Sequence, residues 1–141
     1  MSNICHDNLI FMSNEVKTMQ KRGTMLIVDD VEINRAILAH FFQDEFQLEE
    51  ASNGREALDI IQRSQIDIVL LDLQMPVMNG YEATKAIRNL PSTYASAIPI
   101  VAMTANAFEQ DREKAMAVGM DDYIAKPIDV RLLRETLSKL L

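Results

Sequence analysis

The chain has 141 residues, 48% of them hydrophobic and 25% charged, which leaves room for one core-bearing domain and excludes a disordered, collagen-like or coiled-coil protein. A net charge of −7 argues against a nucleic-acid-binding surface, and no apolar run approaches the roughly 20 residues that span a bilayer. The lone cysteine, Cys5, cannot form an internal disulfide, and the first residues lack the basic start and long apolar run of a secretory leader, so a cytoplasmic location is expected.

In chain order, residues 1–23 show no clear period and read as a poorly ordered tail or linker, with a short helix over Ser13 to Arg22 as the local alternative. Residues 24–141 read as the folded domain. Thr24 to Asp29 (TMLIVD) is apolar without alternation, the mark of a strand buried on both faces. A first helix follows, in which Ile33, Ile37 and Phe41 recur at the spacing of one helical face, and Phe41 and Phe42 read as core and its margin. Phe46 to Ala51 alternates, with Phe46, Leu48 and Glu50 on one side, as a half-exposed edge strand does. Asn53-Gly54 is a hairpin dipeptide, but the helical stretch Arg55 to Arg63 behind it predicts a strand-to-helix turn instead.

Ala57, Leu58 and Ile61 form the apolar face of that second helix. Ile66 to Leu71 (IDIVLL) is a central strand, and Ala83, Ala86, Ile87 and Leu90 mark a third helix. Ile98 to Met103 is the fourth strand, with Pro99 tolerable because it stands at the start of its run. A fourth helix runs from Asn106 or Ala107 to Val118 and is ended by Gly119, where a left-handed cap is wanted. The fifth strand leads to Lys126-Pro127, and Asp129 caps a fifth helix with Val130, Leu133, Leu137 and Leu140 as its stripe. Strand and helix thus alternate five times, which requires a parallel sheet covered on both faces. The expected fold is α/β, flavodoxin-like and doubly wound: a five-stranded parallel sheet in the order 2-1-3-4-5 with five helices.

Ligands bind such sheets beyond the carboxyl ends of the strands. There the chain puts Asp29-Asp30 after the first strand, Asp72 after the third, Thr104 after the fourth and Lys126 after the fifth. Crowded carboxylates raise one another's pKa values unless a cation joins them. Hard oxygen ligands in an incomplete shell suit Mg²⁺, and an ammonium and a hydroxyl beside it suit a phosphoryl group. Each residue alone has a plainer explanation. Asp29-Asp30 could cap a helix, Asp72 could belong to the turn containing Pro76 and Asn79-Gly80, Thr104 could cap the fourth helix, Lys126 could be a surface charge and Tyr123 core packing. Their common placement at strand ends is what joins them.

The segments IVDD (27–30), LLDLQMPVMNG (70–80), MTA (103–105) and YIAKPI (123–128), in this order, resemble the receiver domain of bacterial response regulators. The stretch from Met103 to Asp129 resembles most the receivers of hybrid sensor kinases and phosphorelays. The resemblance covers 24–141 and implies a signalling domain rather than an ordinary enzyme, one that assists its own phosphoryl transfer and dephosphorylation. It implies that Asp72 is the phosphoacceptor, that Asp30, Asp72 and the backbone carbonyl of Gln74 ligate Mg²⁺, and that Asp29 acts on the metal mostly through water. Lys126 would pair with a phosphoryl oxygen, and the Lys126-Pro127 bond would be cis. Thr104 and Tyr123 would form the switch that reshapes the face of the fourth helix, fifth strand and fifth helix. Gln74 and Asn106 would tune the lifetime of the phosphoryl bond. The implied donor is a histidine kinase or a histidine phosphotransfer protein docking around Ile33 to Phe42, and a phosphorylation-dependent dimer is compatible with the family.

Rival functions fare worse. A flavodoxin-like electron carrier needs a phosphate-binding loop where Asp29-Asp30 would repel the flavin phosphate. The nucleotide-binding pattern GxxxxGK[ST] is absent, and His6 and His40 have no partners at zinc-ligand spacing. A pseudo-receiver, an interaction module of the same fold that is never phosphorylated, would be expected to lack a site residue, and none is missing. No effector domain is expected within the chain after the fifth helix, which leaves three outputs open: a free phosphoryl shuttle, a regulator acting by contact, or one domain of a longer protein.

Overall fold

The computed structural model describes residues 21–105 and 109–141. Five parallel strands form one sheet in the order β2-β1-β3-β4-β5. They are β1 (Thr24–Val28), β2 (Gln47–Ala51), β3 (Ile68–Asp72), β4 (Ile100–Thr104) and β5 (Asp122–Ala125). The long helices are α1 (Glu32–Phe42), α2 (Gly54–Arg63), α3 (Gly80–Arg88), α4 (Glu109–Ala117) and α5 (Val130–Leu140). Both the class and the strand order match the expectation. The helix count does not: a sixth described helix, the single turn Thr93–Ser96, precedes β4. Ser92 caps it by accepting the Ala95 N–H, and its one buried residue is Ala95, so no apolar period announces it.

Strand alternation divides the core in two. Met25 and Ile27 of β1 face a cluster with Leu38 and Phe42 of α1 and Leu133 and Leu137 of α5. Leu26 and Val28 face the opposite cluster, with Ala57 and Ile61 of α2, Ala83 and Ile87 of α3, and Ala115 of α4. Every residue of β3 and β4 is buried, as central strands require, whereas β2 at the edge buries only Ala51 completely.

The phase of α1 corrects the sequence reading. Its buried residues are Leu38 and Phe42, while Ile33, Ile37 and Phe41 are 63%, 50% and 44% exposed. Two apolar stripes one residue apart both satisfy helical spacing, and period alone does not choose between them. Phe42 wins because it meets Phe46 edge-on, with ring centroids 6.2 Å apart, under the guanidinium of Arg134. The outer stripe is left in solvent.

Termini and turns follow their local chemistry. Asn53 caps α2 by accepting the Glu56 N–H, so Asn53-Gly54 is a strand-to-helix turn as expected. Asn79 and Glu82 form a reciprocal capping box at the start of α3. Asp129 accepts two backbone N–H groups at the start of α5. Gly119 ends α4 with φ of +108°, and Met120 N–H reaches back to the Ala115 carbonyl at 3.2 Å, the left-handed cap expected there. Arg88 at the end of α3 donates to the carbonyls of Gly119, Ser96 and Ile98 and pairs with Asp121. Asn106 and most of the short helix considered over Ser13 to Arg22 lie outside the described residues. Among the described residues no helix is long and apolar enough to cross a membrane.

Candidate functional site

β1, β3, β4 and β5 all run the same way, so their carboxyl ends open on one edge of the sheet. There Asp29, Asp30 and Asp72 each offer a carboxylate oxygen, all within 4.8 Å of one another. Asp29 and Asp72 are buried, while Asp30 is exposed at the rim. The Lys126 ammonium joins the two buried carboxylates: Nζ donates to Asp29 Oδ2 at 3.1 Å and lies 3.3 Å from Asp72 Oδ2. The loop carrying it is held by the Lys126 N–H donating to the Thr104 carbonyl at 2.7 Å, and the Lys126-Pro127 peptide is cis.

Burial raises the pKa of Asp72; the Gln74 N–H donating to Oδ1 at 3.2 Å opposes this, the charge of Asp29 adds to it, and Lys126 only partly offsets it. For Lys126, burial alone would lower the pKa, but the hydrogen bond to Asp29 and the charges of Asp72 and Asp29 more than reverse this and raise it. The lysine is more exposed than either acid and has two anions against it, so the balance at the two partners differs.

Asp29 is the more fully engaged acid. Besides Lys126, its carboxylate accepts from the Val31 N–H at 2.9 Å and Asn34 Nδ2 at 3.3 Å. Arg35 donates to its carbonyl at 2.7 Å and also pairs with Glu50 on β2. Asn34 and Arg35 were not singled out in the sequence. Their signal was available: both lie in the first turn of the helix that begins just after the acidic pair. Asp29 does not cap that helix, whose N-cap Val31 has no side-chain cap; it ties β1, α1 and Lys126 together instead.

Thr104 is buried at the end of β4, and Tyr123 is half-buried on β5 opposite Ala102. With Thr104 opposite Ala125, the threonine and tyrosine side chains lie on the same face of the sheet, the face of α2, α3 and α4. Gln74 is exposed, two residues beyond Asp72.

The loop after Asp72 is tightly drawn. Gly80 N–H donates to the Leu73 carbonyl at 3.1 Å, and a Cβ on Gly80 would stand 2.6 Å from the Asp72 carbonyl oxygen, so only glycine fits. Val77 has φ of +70°, and Met78 N–H donates to the Pro76 carbonyl at 2.7 Å, the strained form of a γ-turn. A β-branched residue there costs about 1–2 kcal/mol, and Val77 is exposed enough to recover little of it by packing. Val77→Gly is expected to stabilise the protein by about 1 kcal/mol after allowing for the freer unfolded chain. Urea unfolding checks this; a lower midpoint for the variant would show that Val77 makes contacts worth more than the strain.

A cleft of about 270 Å³ opens beside the carboxylates, between α1 and the β5–α5 loop, lined by Ile37, Phe41, Met103, Lys126, Pro127 and Ile128. A larger groove of about 580 Å³, near Arg63, Ser64, Pro91 and Tyr94, lies by the amino ends of the strands. Of the charged cluster, Asp29 and Lys126 also line the smaller cleft.

Residues 25–138 match the family model described as the response regulator receiver domain. The chain is 38% identical over 115 residues to the sensor histidine kinase RcsC of Salmonella typhimurium, a match covering 81% of this chain and 12% of that protein. The chain therefore spans about an eighth of the length of that relative. Among solved structures it is similar to the co-crystal of the Saccharomyces cerevisiae histidine phosphotransfer protein Ypd1 with the receiver domain of its downstream response regulator Ssk1. That match has a TM-score of 0.78 and 32% identity over 85% of this chain and 89% of the other. It is also similar to the receiver domain of the sensor histidine kinase PA1611 of Pseudomonas aeruginosa, solved with magnesium coordinated in its active-site cleft. There the TM-score is 0.75 and the identity 31%, over 83% of this chain and 95% of the other.

Proposed function

Because the chain belongs to the response regulator receiver domain family, matched over residues 25–138, we propose that residues 24–141 act as a phosphoacceptor in a two-component or phosphorelay system, with residues 1–23 as a tail or linker. Asp72 takes a phosphoryl group from a phosphohistidine. The observation that carries this reading is the cluster itself: three carboxylates within 4.8 Å, bridged by one ammonium, at the carboxyl edge of the sheet.

In the reaction, a carboxylate oxygen of Asp72 attacks phosphorus. A new P–O bond forms, the P–N bond to the donor imidazole breaks, and the imidazole leaves with the electron pair. The raised pKa of Asp72 reflects an anion poorly solvated by its surroundings, which favours a nucleophile. Lys126, already bridging Asp29 and Asp72, is in position to follow the charge onto a phosphoryl oxygen. Three hard oxygens in an incomplete shell fit Mg²⁺; Asp30, Asp72 and the Gln74 carbonyl would hold it directly, and Asp29 mostly through water. When bound, the ion supplies charge neutralisation and orientation for the transferring group.

Phosphorylation of Asp72 then biases a two-state domain. Thr104 turns towards the phosphoryl group, Tyr123 moves into the space behind it, and the face of α4, β5 and α5 changes shape. The outer stripe of α1, Ile33, Ile37 and Phe41, is the docking surface for the donor, a histidine kinase or phosphotransfer protein. The domain works in the cytoplasm, where such donors and Mg²⁺ are available.

The test is intact-protein mass after incubation with acetyl phosphate, with and without Mg²⁺. The expected result is a gain of one phosphoryl group that requires the metal. No gain from a folded, Mg²⁺-binding protein would favour a pseudo-receiver that acts by contact alone.

A further inference from the structure

Helix α4 is held unevenly. Of its residues 110–117 only Ala115 is buried. Its carboxyl end is anchored: Gly119 and Met120 N–H groups cap the last turn, Arg88 Nε donates to the Gly119 carbonyl at 2.9 Å, and Met120 is buried. In that same last turn, the Lys114 ammonium lies 4.5 Å from the ring centroid of Tyr81. Tyr81 stands in the first turn of α3, directly behind the loop that carries Asp72, and packs with Tyr123 and Val118 against the same apolar cluster. Burial first, then the nearby Asp111 of α4 and Tyr123 of β5, raise the pKa of its phenol, so Tyr81 is close to both partners.

We infer that the Tyr81–Lys114 pair is a latch on α4: Tyr81 is a positioning residue that holds the helix and the Tyr123 ring in the arrangement seen here, and the pair must separate when the switch is thrown. This rests on the reading of Thr104 and Tyr123 as the switch. The physical case is one of contact between two helices. The Lys114–Tyr81 contact ties the anchored end of α4 to the first turn of α3. A displacement of α4 away from α3 must break it. A cation over an aromatic face at a partly exposed site favours the latched state about threefold, and phosphorylation has to overcome that bias by its differential interaction with the two states.

The test uses trifluoroberyllate with Mg²⁺, a mimic of the bound phosphoryl group, titrated into the whole chain and followed by ¹⁵N NMR. Tyr81→Leu and Lys114→Gln are each expected to tighten its binding about threefold. They should also move the α4 amide shifts of the unliganded protein towards their liganded positions. The double variant should gain no more than either single one. Tyr81→Phe and Lys114→Arg, which keep the ring and the charge, should behave as wild type. A purely structural role would lower the melting temperature and leave affinity and shifts unchanged; that result, additive effects or weaker binding overturns the latch. A wild type that never binds the mimic overturns the phosphoacceptor reading and the latch with it. A wild type that binds while the variants match it overturns the latch alone.

Discussion

Asp72→Asn is expected to abolish phosphoryl acceptance from acetyl phosphate and, at the same time, to raise the melting temperature of the metal-free protein. The first effect follows from chemistry, since an amide offers no anionic oxygen to attack phosphorus. The second follows from the environment. Asp72 is 5% exposed, its carboxylate is raised in pKa chiefly by burial and also by Asp29, and Lys126 does not fully compensate. A carboxylate whose folded pKa lies above its ordinary value near 3.8 binds its proton more tightly in the folded state. Its contribution to stability is fully present below 3.8 and is lost as pH rises through the folded value.

At neutral pH the variant should therefore gain on the order of 1 kcal/mol, roughly 4 °C in a domain of this size. The gap should close as pH falls from the raised folded value to 3.8. Thermal unfolding in a chelator, scanned from pH 7 downward, measures it. A variant that melts at or below wild type at pH 7 would mean that Lys126 outweighs both burial and repulsion. Added Mg²⁺ should stabilise wild type more than the variant by linkage, and equal stabilisation of both would remove Asp72 from the metal site.

Lys126→Met should act in the opposite direction. It leaves Asp29, 1% exposed, and Asp72 facing each other without the ammonium that now bridges them. Removing one partner of a buried ionic cluster typically costs about 3 kcal/mol, and methionine keeps most of the aliphatic stem. The loss should be largest in chelator. Mg²⁺ should restore part of it, because an ion joining the same carboxylates supplies the missing charge. By the same logic the variant should bind Mg²⁺ more tightly than wild type, since the ammonium no longer competes. Calorimetric titration and urea unfolding together check both halves. Weaker Mg²⁺ binding in a folded variant would show that Lys126 organises the carboxylates rather than competing for them.

Much of the fold could be read before any coordinates. Residues 66–71 and 98–103 carry near-continuous apolar runs while Phe46 to Ala51 alternates, which separates central strands from the edge. The turn Thr93–Ser96 has no such signature, because its stability comes from the Ser92 cap and the burial of Ala95, neither of which has a period. The helix α1 shows the limit more sharply. Ile33, Ile37 and Phe41 obey helical spacing as well as Leu38 and Phe42 do, and only contact with Phe46 and the sheet decides which stripe is core.

The same division runs through the candidate site. Asp29, Asp30, Asp72, Thr104 and Lys126 were legible because each polar residue closes or follows an apolar run, and parallel strands must end on one edge. The sequence by itself determined the order of the strands and long helices and the sign of the charges on that edge. Tertiary structure alone decided that Lys126 bridges Asp29 and Asp72, that Asn34 and Arg35 hold Asp29, and that Lys114 meets Tyr81. Local patterns report which face of an element avoids water. Contacts between residues as far apart as Asp29 and Lys126 depend on helix phase and loop path, which only the packed chain sets.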